Sequence, residues 1–329
     1  MLARPIEIDW NPALPVFARE PFLRAVGDDC GWIGGFTPAD ELLCILPYVI
    51  IKKAWMKMVR FRVETIPIGE GPDIAQEKAF LTSALDYFRK RGIALVLPAS
   101  NNAIFRTYPD GAKAIPYGTY LIDLELPEET LWTNIDRIFR QNIKAASSSG
   151  VVIGDGRDCL REGHDLIRRT FRRSRMPFMP FHDLEDFLAG LGEYGRVTAA
   201  WFQGVLQSFV VFGFSDFAAY AIYAGNVEGQ QKGANKLLYW EAMREFKHRG
   251  VKRYDFYGAR INPDKGSKQE ALASFKRRFG ADLKAGYMWR YEFHPLNGLL
   301  YRWANRLRSG GDVIDDETRI QDRESGIRS

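Results

Sequence analysis

Cysteine and histidine are scarce in this chain, and their scarcity excludes two kinds of site. The three cysteines, Cys30, Cys44 and Cys159, are odd in number and form neither a CxxC pair nor a disulfide framework. The four histidines are scattered, with no pair at the spacing of metal ligands. We therefore expect a reducing compartment, by default the cytoplasm, and no metal chemistry.

Long apolar runs are also missing. The chain contains no run of about 18 apolar residues, the length needed to cross a bilayer. The N-terminal MLARPIEIDWNPALP lacks the apolar core of a secretory signal. Any membrane contact is therefore expected to be peripheral. Lys and Arg exceed Asp and Glu by only 46 to 41, which hints at an anionic partner but does not identify one.

The 329 residues, 46% of them apolar, suffice for two domains with separate cores. The pattern predicts a first domain over residues 1–148, rich in strands, with a helix from Ile74 to Lys90 that ends at Gly92. A second domain over residues 149–294 reads as β, α, α, three strands, then α, β, α, β. The polar tail 309–329 is expected to be disordered.

The stretch PEETLWTNIDRIFRQNIKAASSSG predicts one continuous helix with Leu131, Ile135 and Ile138 on its buried side. A cationic stripe lies on the same helix at positions i, i+3 and i+7, formed by Arg137, Arg140 and Lys144. Such a stripe is either a solvated face or a surface for a polyanion such as a diphosphate or RNA.

The segment SFKRRFG, residues 274–280, ends another predicted helix. Phe275 and Phe279 share an apolar face, and Gly280 occupies the position of a left-handed C-cap. Its three consecutive cations, Lys276 to Arg278, either solvate the negative end of the helix dipole or include one that is held against an anion.

The order of elements in the second domain resembles the acyltransferase fold called GNAT. In that fold, a QxxGxG or QxxGxA turn at a helix N-terminus receives the pyrophosphate of acetyl-CoA through backbone amides. Here the matching stretch is QQKGAN, residues 230–235, with Asn235 in the last position. The match is partial.

Four passages, in order, carry a more specific resemblance: IPIGEGPD; LWTNIDRIFRQNIKAASSSGVVI; AAYAIYAGN with LLYWEAMREFKHRGVKRYDFYGA; and SFKRRFG. They span roughly residues 65–295 and resemble the Fem family of aminoacyltransferases, which build the interpeptide bridge of peptidoglycan. The resemblance implies an α+β fold of two GNAT-like domains, each a mixed, largely antiparallel sheet flanked by helices, with a cleft between them.

The same resemblance implies transfer of an aminoacyl group from aminoacyl-tRNA, as co-substrate, to a stem-peptide amine on a UDP- or lipid-linked precursor. No tightly bound cofactor is expected. Lys276 is implied to stabilise charge during transfer, and Phe275 to lie near the tRNA end. Acyl transfer passes through an oxyanion, for which a positioned cation is suitable.

Further residues are assigned to substrate binding. They lie in the resembling passages and comprise Arg137, Arg140, Lys144, Tyr220, Tyr223, Asp255 and Tyr257. For Asp255 two roles remain open, a direct one in the chemistry and the holding of a turn. No residue is an obvious general base.

This chain has no room for the long coiled-coil insertion of many family members. The alternative is therefore an acyl-CoA-dependent N-acyltransferase of GNAT fold in polysaccharide or envelope biosynthesis. A third hypothesis is a non-catalytic binder of RNA or anionic glycan.

The segment 295–308 predicts an amphipathic helix. Its apolar stripe consists of Leu296, Leu299, Leu300, Trp303 and Leu307, with Arg302, Arg306 and Arg308 outside it. Such a helix either lies on an anionic membrane or packs on the first domain. We expect packing.

Overall fold

A computed structural model describes residues 1–174, 176–309 and 312–315. The strands in these ranges are β1 Leu2–Ile6, β2 Asp29–Phe36, β3 Leu42–Lys53, β4 Met56–Phe61, β5 Ile66–Pro67, β6 Leu95–Val96, β7 Lys113–Asp123, β8 Val152–Asp155, β9 Gly195–Phe202, β10 Val205–Phe214, β11 Ala219–Asn226, β12 Arg253–Asp255 and β13 Asp282–Glu292. The α-helices are α1 Glu20–Ala25, α2 Ile74–Lys90, α3 Glu128–Asn134, α4 Arg137–Ser148, α5 Leu160–Arg173, α6 Phe181–Leu191, α7 Ala234–His248, α8 Lys268–Arg278 and α9 Pro295–Ser309.

The chain forms two compact units. The first contains residues 1–10, 23–118 and 285 onward, and the second contains residues 11–22 and 119–284. The chain therefore passes from the first unit to the second inside β7 and returns inside β13. These divisions differ from the predicted boundary at 148/149, because α3, α4 and the segment 11–22 belong with the second unit.

The first unit has a mixed sheet in the order β1-β2-β3-β4-β6-β13, with β5 paired to β3. All of these pairs are antiparallel except β4 with β6, which is parallel. Helix α2 packs on one face with Phe80, Leu81 and Phe88 in the core. Its predicted bounds are confirmed, and a reciprocal capping box between Asp73 and Gln76 explains where it begins.

The second unit has a sheet in the order β7-β12-β11-β10-β9-β8. Its pairs are antiparallel except β11 with β12, which is parallel. Helices α4, α7 and α8 cover one face, and α5 and α6 pack against the core of the other. The predicted α+β class, with two GNAT-like units of mixed, largely antiparallel sheet flanked by helices, is confirmed.

The predicted continuous helix over the stretch 127–150 is wrong, because the chain breaks it at Ile135 and Asp136. Asp136 caps α4 instead, since its carboxylate accepts hydrogen bonds from the N–H groups of Ile138 and Phe139 at 2.9 and 3.2 Å. The break resets the helical phase, so Ile138 is exposed while Phe139 is buried.

Residues 312–315 fall within the predicted disordered tail, yet they pack in the first unit. Arg290 on β13 is 1% exposed and needs counter-charges, which the half-buried Asp312 and Asp315 provide, each at 2.6 Å. Ile314 between them is buried. The rest of the predicted tail, residues 310, 311 and 316–329, lies outside the described residues.

Candidate active site

The segment SFKRRFG divides its side chains between the core and the site. Phe279 is buried, and the part-buried Phe275 lies 5.6 Å from the ring of Phe139 and 5.4 Å from that of Tyr239. Gly280 adopts φ +81°, which confirms the predicted left-handed C-cap. Core packing thus accounts for Phe275, which sequence analysis had assigned to substrate binding.

The three cations of the segment have different surroundings. Arg277 is exposed. Arg278 donates to the Asp136 carboxylate at 2.7 Å and lies over the Phe139 ring, so it fixes the end of α8 to the start of α4. This hydrogen bond lowers the pKa of Asp136. Lys276 alone of the three turns inward.

Lys276 reaches a backbone carbonyl at the end of β12. Its ammonium group donates to the carbonyl oxygen of Gly258. Burial lowers the pKa of Lys276 from 10.5 to about 8, against the opposite effect of the nearby Asp255 carboxylate. A cation held in this way is desolvated but still largely charged at neutral pH.

Asp255, close to Lys276, accepts two hydrogen bonds. The residue is 4% exposed. Its Oδ1 accepts from the hydroxyl of Thr119 at 2.5 Å and from the N–H of Tyr257 at 2.6 Å. The Thr119 oxygen in turn accepts from the N–H of Gly258 at 3.0 Å. Lys276, Gly258, Thr119 and Asp255 therefore form one connected cluster, which we call the Lys276 cluster.

The backbone of this cluster adopts a conformation that L-residues rarely adopt. Tyr257 has φ +59° and Gly258 has φ +84°. The hydrogen bond from the Tyr257 N–H to Asp255 Oδ1 stabilises this turn, since an aspartate side chain commonly accepts from the backbone two residues on. Asp255 therefore does hold a turn, as one of its two predicted roles required. Unusual backbone of this kind is concentrated at functional sites.

Register explains why Asp255 points away from the core. Tyr254 on β12 and Phe256 directly after it belong to the core beneath α7, so the residue between them faces the opposite side of the sheet. Tyr220 on β11 pairs directly with Asp255, and side chains of paired residues share a face.

Aromatic rings border the Lys276 cluster on that face. The ring of Phe17 lies 4.8 Å from that of Tyr220 and 6.0 Å from that of Tyr257. Tyr223 lies further along β11, with its ring 5.1 Å from Phe178 and 5.6 Å from Phe187. Of the predicted binding tyrosines, Tyr220 and Tyr257 are thus gathered beside Asp255, whereas Tyr223 packs among rings from the segment around α6.

Only part of the predicted cationic stripe is exposed and could contact a ligand. Arg140 donates to the carbonyl oxygens of Trp132 and Thr133 at 3.4 and 3.1 Å and so completes the end of α3. Lys144 is exposed and lies over the Trp132 ring. Arg137 is exposed in the first turn of α4.

The turn 230–235 lies close against α4. Gly233 adopts φ +85° as the N-cap of α7, and a Cβ atom there would overlap the carbonyl group of Asn142. A carbonyl oxygen thus lies beside Gly233, the N-cap of α7, and its partial negative charge is unfavourable for an anionic pyrophosphate there. Lys236 in the first turn lies over Phe139, and burial lowers its pKa.

An open cavity of about 510 Å³ lies elsewhere in the second unit, between α7 and the strands β8 and β9. Its arginines are already paired, Arg196 with Asp155 and Glu245, and Arg244 with Glu128. The charge there is compensated, so we place the candidate site at the Lys276 cluster. In the described part of the chain, no three His, Cys, Asp or Glu side chains are grouped to hold a metal ion.

Of the residues in and beside the Lys276 cluster, sequence analysis named Lys276, Asp255, Tyr220 and Tyr257 as candidates but not Thr119, Gly258 or Phe17. Thr119 has no local signal, because its role depends on β7 lying beside β12 with Leu121 paired to Asp255. Gly258 could have been noticed, since glycine shortly after a short strand marks a position where the backbone can adopt a positive φ, here +84°.

Solved structures share this fold. FemX matches with a TM-score of 0.65 and 13% identity over 88% of this chain and 93% of its own. The C-terminal domain of a protein assigned as a lysylphosphatidylglycerol synthetase from Agrobacterium fabrum matches at 0.51 and 13%, over 84% and 89% of the two chains. L-PGS from Bacillus licheniformis matches at 0.50 and 11%, over 87% and 90%.

No protein-family profile matches the sequence, and no curated protein matches it either. At 10–13% identity the structural likeness concerns the fold alone. At that level the predicted resemblance to the Fem family is confirmed: the chain has the architecture of FemX along nearly its whole length.

Proposed function

We propose that this protein is an aminoacyltransferase that moves an aminoacyl group from aminoacyl-tRNA to an amine of a peptidoglycan precursor or related cell-envelope substrate. The observation that carries the proposal is the Lys276 cluster, which holds a desolvated ammonium group at a strained turn. The fold likeness to FemX, together with the Fem-like order of the sequence passages, supports this choice of reaction.

The reaction requires a positive charge beside the carbonyl oxygen of the aminoacyl ester. The acceptor amine attacks the carbonyl carbon of the aminoacyl ester, and the carbonyl oxygen becomes an oxyanion. The carbon–oxygen bond to the tRNA ribose then breaks, and the ribose oxygen leaves with a proton that the amine gives up. A cation that is already desolvated and oriented stabilises this oxyanion with little reorganisation.

Lys276 meets these requirements. With a pKa of about 8, roughly nine in ten molecules carry the ammonium form at pH 7. Its ammonium group donates to a neutral carbonyl, that of Gly258, which an anionic oxygen can replace because an ionised acceptor forms the stronger hydrogen bond. Asp255 orients the turn that carries this carbonyl, and its part in proton transfer stays a prediction.

A donor screen tests the proposal. Purified protein is incubated with a UDP-linked stem peptide and with either mixed charged tRNA or acetyl-CoA, and the mass of the acceptor is measured. We expect an increase equal to an aminoacyl group with charged tRNA. An acetyl increase with acetyl-CoA alone would instead assign the alternative, an acyl-CoA-dependent N-acyltransferase. The crowding of the α7 N-terminus by the Asn142 carbonyl argues against that alternative.

The cationic stripe supplies a second test, directed at tRNA. Because Arg140 completes α3, we would leave it in place and replace Arg137 and Lys144 with glutamine. We expect weaker tRNA binding and a salt dependence reduced by between one and two released counterions, at about 0.7 to 0.9 per contact. Arg169→Gln is the matched control, an exposed cation on α5, which packs on the other face of the sheet. Equal salt dependences of tRNA binding in the unaltered protein, the double variant and the control would show that the stripe is only a solvated surface.

A further inference from the structure

The hairpin between β3 and β4 ends in an exposed tryptophan surrounded by lysines. Trp55 is 76% exposed at the turn, where Ala54 adopts φ +52°. Lys52, Lys53 and Lys57 flank it and are exposed as well. A turn of this kind has no need of a large aromatic side chain for its own folding.

Helix α9 presents its apolar side to solvent. Its exposed apolar residues are Leu296 at 73%, Leu299 at 58%, Leu300 at 42% and Trp303 at 64%. We expected this stripe to pack on the first domain. Helix α9, itself part of the first unit, contacts the rest of that unit through its other side. The side chains of Leu307 and Arg308 are not among those that the structure describes.

Polar contacts fix α9 in this orientation. Arg302 donates to the Glu292 carboxylate at 2.5 Å, and the Tyr301 hydroxyl donates to Asp312 at 3.2 Å. Gly298 is buried in the contact, and a Cβ atom there would overlap the Glu292 carboxylate. The outward direction of the leucines is therefore a consequence of specific inward contacts.

The hairpin and α9 emerge at the same end of the first unit's sheet. The N–H of Phe293, two residues before α9, donates to the Ala94 carbonyl at 3.2 Å. The N–H of Ala94 in turn donates to the Lys57 carbonyl at 2.8 Å. Tyr301 packs against the same small cluster as Met56, next to Trp55.

Single exposed apolar residues are ordinary, but two tryptophans and three leucines on two segments that leave the same end of a sheet are not. Here they accompany three lysines and the exposed Arg306. Tryptophan concentrates at membrane interfaces, and each lysine or arginine near an anionic bilayer contributes favourable energy. An apolar helix face beside such cations is typical of helices that lie in the plane of the interface.

We infer that this end of the first unit, the Trp55–Trp303 surface, docks on an anionic lipid bilayer. The surface comprises Lys52, Lys53, Trp55, Lys57, Leu296, Leu299, Leu300, Trp303 and Arg306. The two tryptophans and the leucines enter the headgroup region, and the cations contact lipid phosphates. No helix in the described ranges is long and apolar enough to span a bilayer. The docking concerns surface chemistry alone and is independent of the proposed reaction.

Vesicle flotation tests the inference with the full chain. Vesicles contain either phosphatidylcholine alone or phosphatidylcholine mixed with phosphatidylglycerol. We expect binding to the mixed vesicles that decreases with added salt, and little binding to phosphatidylcholine alone. Replacing the three hairpin lysines with glutamine should weaken binding roughly a hundredfold, at about fivefold per cation. The pair Trp55→Ser and Trp303→Ser should weaken it roughly tenfold or more, because apolar area no longer leaves water.

Leu2→Ser is the matched control. Leu2 is 60% exposed, but it is aligned through Phe36 with Leu42, at the opposite end of β3 and about 35 Å from the hairpin turn. It should bind like the unaltered protein. Transfer to a UDP-linked acceptor free in solution should be normal in every variant, which separates this inference from the proposed function.

Absence of binding to anionic vesicles would overturn the inference, as would equal binding by the lysine, tryptophan and control variants. Sedimentation velocity tests whether a second copy of this chain occupies the surface instead of a bilayer. If the tryptophan pair converts a dimer to a monomer and vesicles are not bound, the surface belongs to a second copy of this chain and the inference is wrong.

Discussion

Replacing Lys276 with methionine should stabilise the protein. The lysine pKa decreases from 10.5 to about 8 on folding because burial disfavours the ammonium form. At roughly 1.4 kcal/mol per pKa unit, the charged form costs about 3 kcal/mol of folding free energy. Methionine has a similar length, packs well and carries no charge, so it removes this cost.

The effect should depend on pH in a definite direction. Between about pH 8 and the ordinary lysine value of about 10.4, the unfolded chain binds more protons than the folded one, so stability of the unaltered protein rises with pH. Below pH 8 both states are charged and the full cost is present. The advantage of the methionine variant should therefore be about 3 kcal/mol at pH 7 and shrink towards zero as pH approaches about 10.4.

Urea denaturation at pH 7 and pH 10, followed by circular dichroism, measures this difference. Arg277→Met is the matched control, since Arg277 is the exposed neighbour on the same helix. Its effect should stay within about 0.5 kcal/mol at both pH values. A Lys276→Met variant no more stable than the unaltered protein at pH 7, or equally stabilised at both pH values, would refute the reasoning that the lysine is held as a desolvated cation.

Three further substitutions test other contacts. Thr119→Val removes the hydroxyl that joins Asp255 to the Gly258 N–H. It should lower the free energy of unfolding by about 1 to 3 kcal/mol in urea denaturation and lower kcat, whereas Thr119→Ser should keep normal stability and kcat. Equal losses in the two variants would count against the hydrogen bonds. Gly233→Ala should cost about 1 kcal/mol or more by thermal unfolding, because a Cβ atom meets the Asn142 carbonyl at a positive φ, and an unchanged melting temperature would contradict the close packing. Arg290→Met should destabilise the first unit by about 3 kcal/mol in urea, since it leaves the half-buried Asp312 and Asp315 carboxylates without their cation. A neutral effect would show that these residues are not held as an ionic cluster.

Short local sequence patterns predicted many of the helix ends and the fold class. The bounds of α2, with its capping residues and closing glycine, and the C-cap at Gly280 follow from short stretches of sequence, because helix ends are satisfied by nearby residues. Lys276 was predicted as a candidate from the resemblance of its segment to the Fem family and from its place among three cations, and its role stays a prediction.

What could not be predicted depends on residues that are distant in sequence. The helix break at Asp136 involves Arg278, which is 142 residues away. Thr119 meets Asp255 across 136 residues through strand register alone. The apolar stripe of α9 did not indicate which side of the helix meets the sheet, because that side is set by the contacts of Arg302 with Glu292 and of Tyr301 with Asp312. Periodicity reports which side chains share a face but not which face the rest of the chain contacts.

The most direct test of the central claim is the single-turnover rate of aminoacyl transfer by Lys276→Met. The reaction would use charged tRNA at saturating concentration and a UDP-linked stem peptide, with donor binding measured separately. If Lys276 stabilises the oxyanion, the rate should fall a hundredfold or more, corresponding to about 3 to 4 kcal/mol, while donor affinity stays near normal. A folded variant that transfers the aminoacyl group at the full rate would contradict the account.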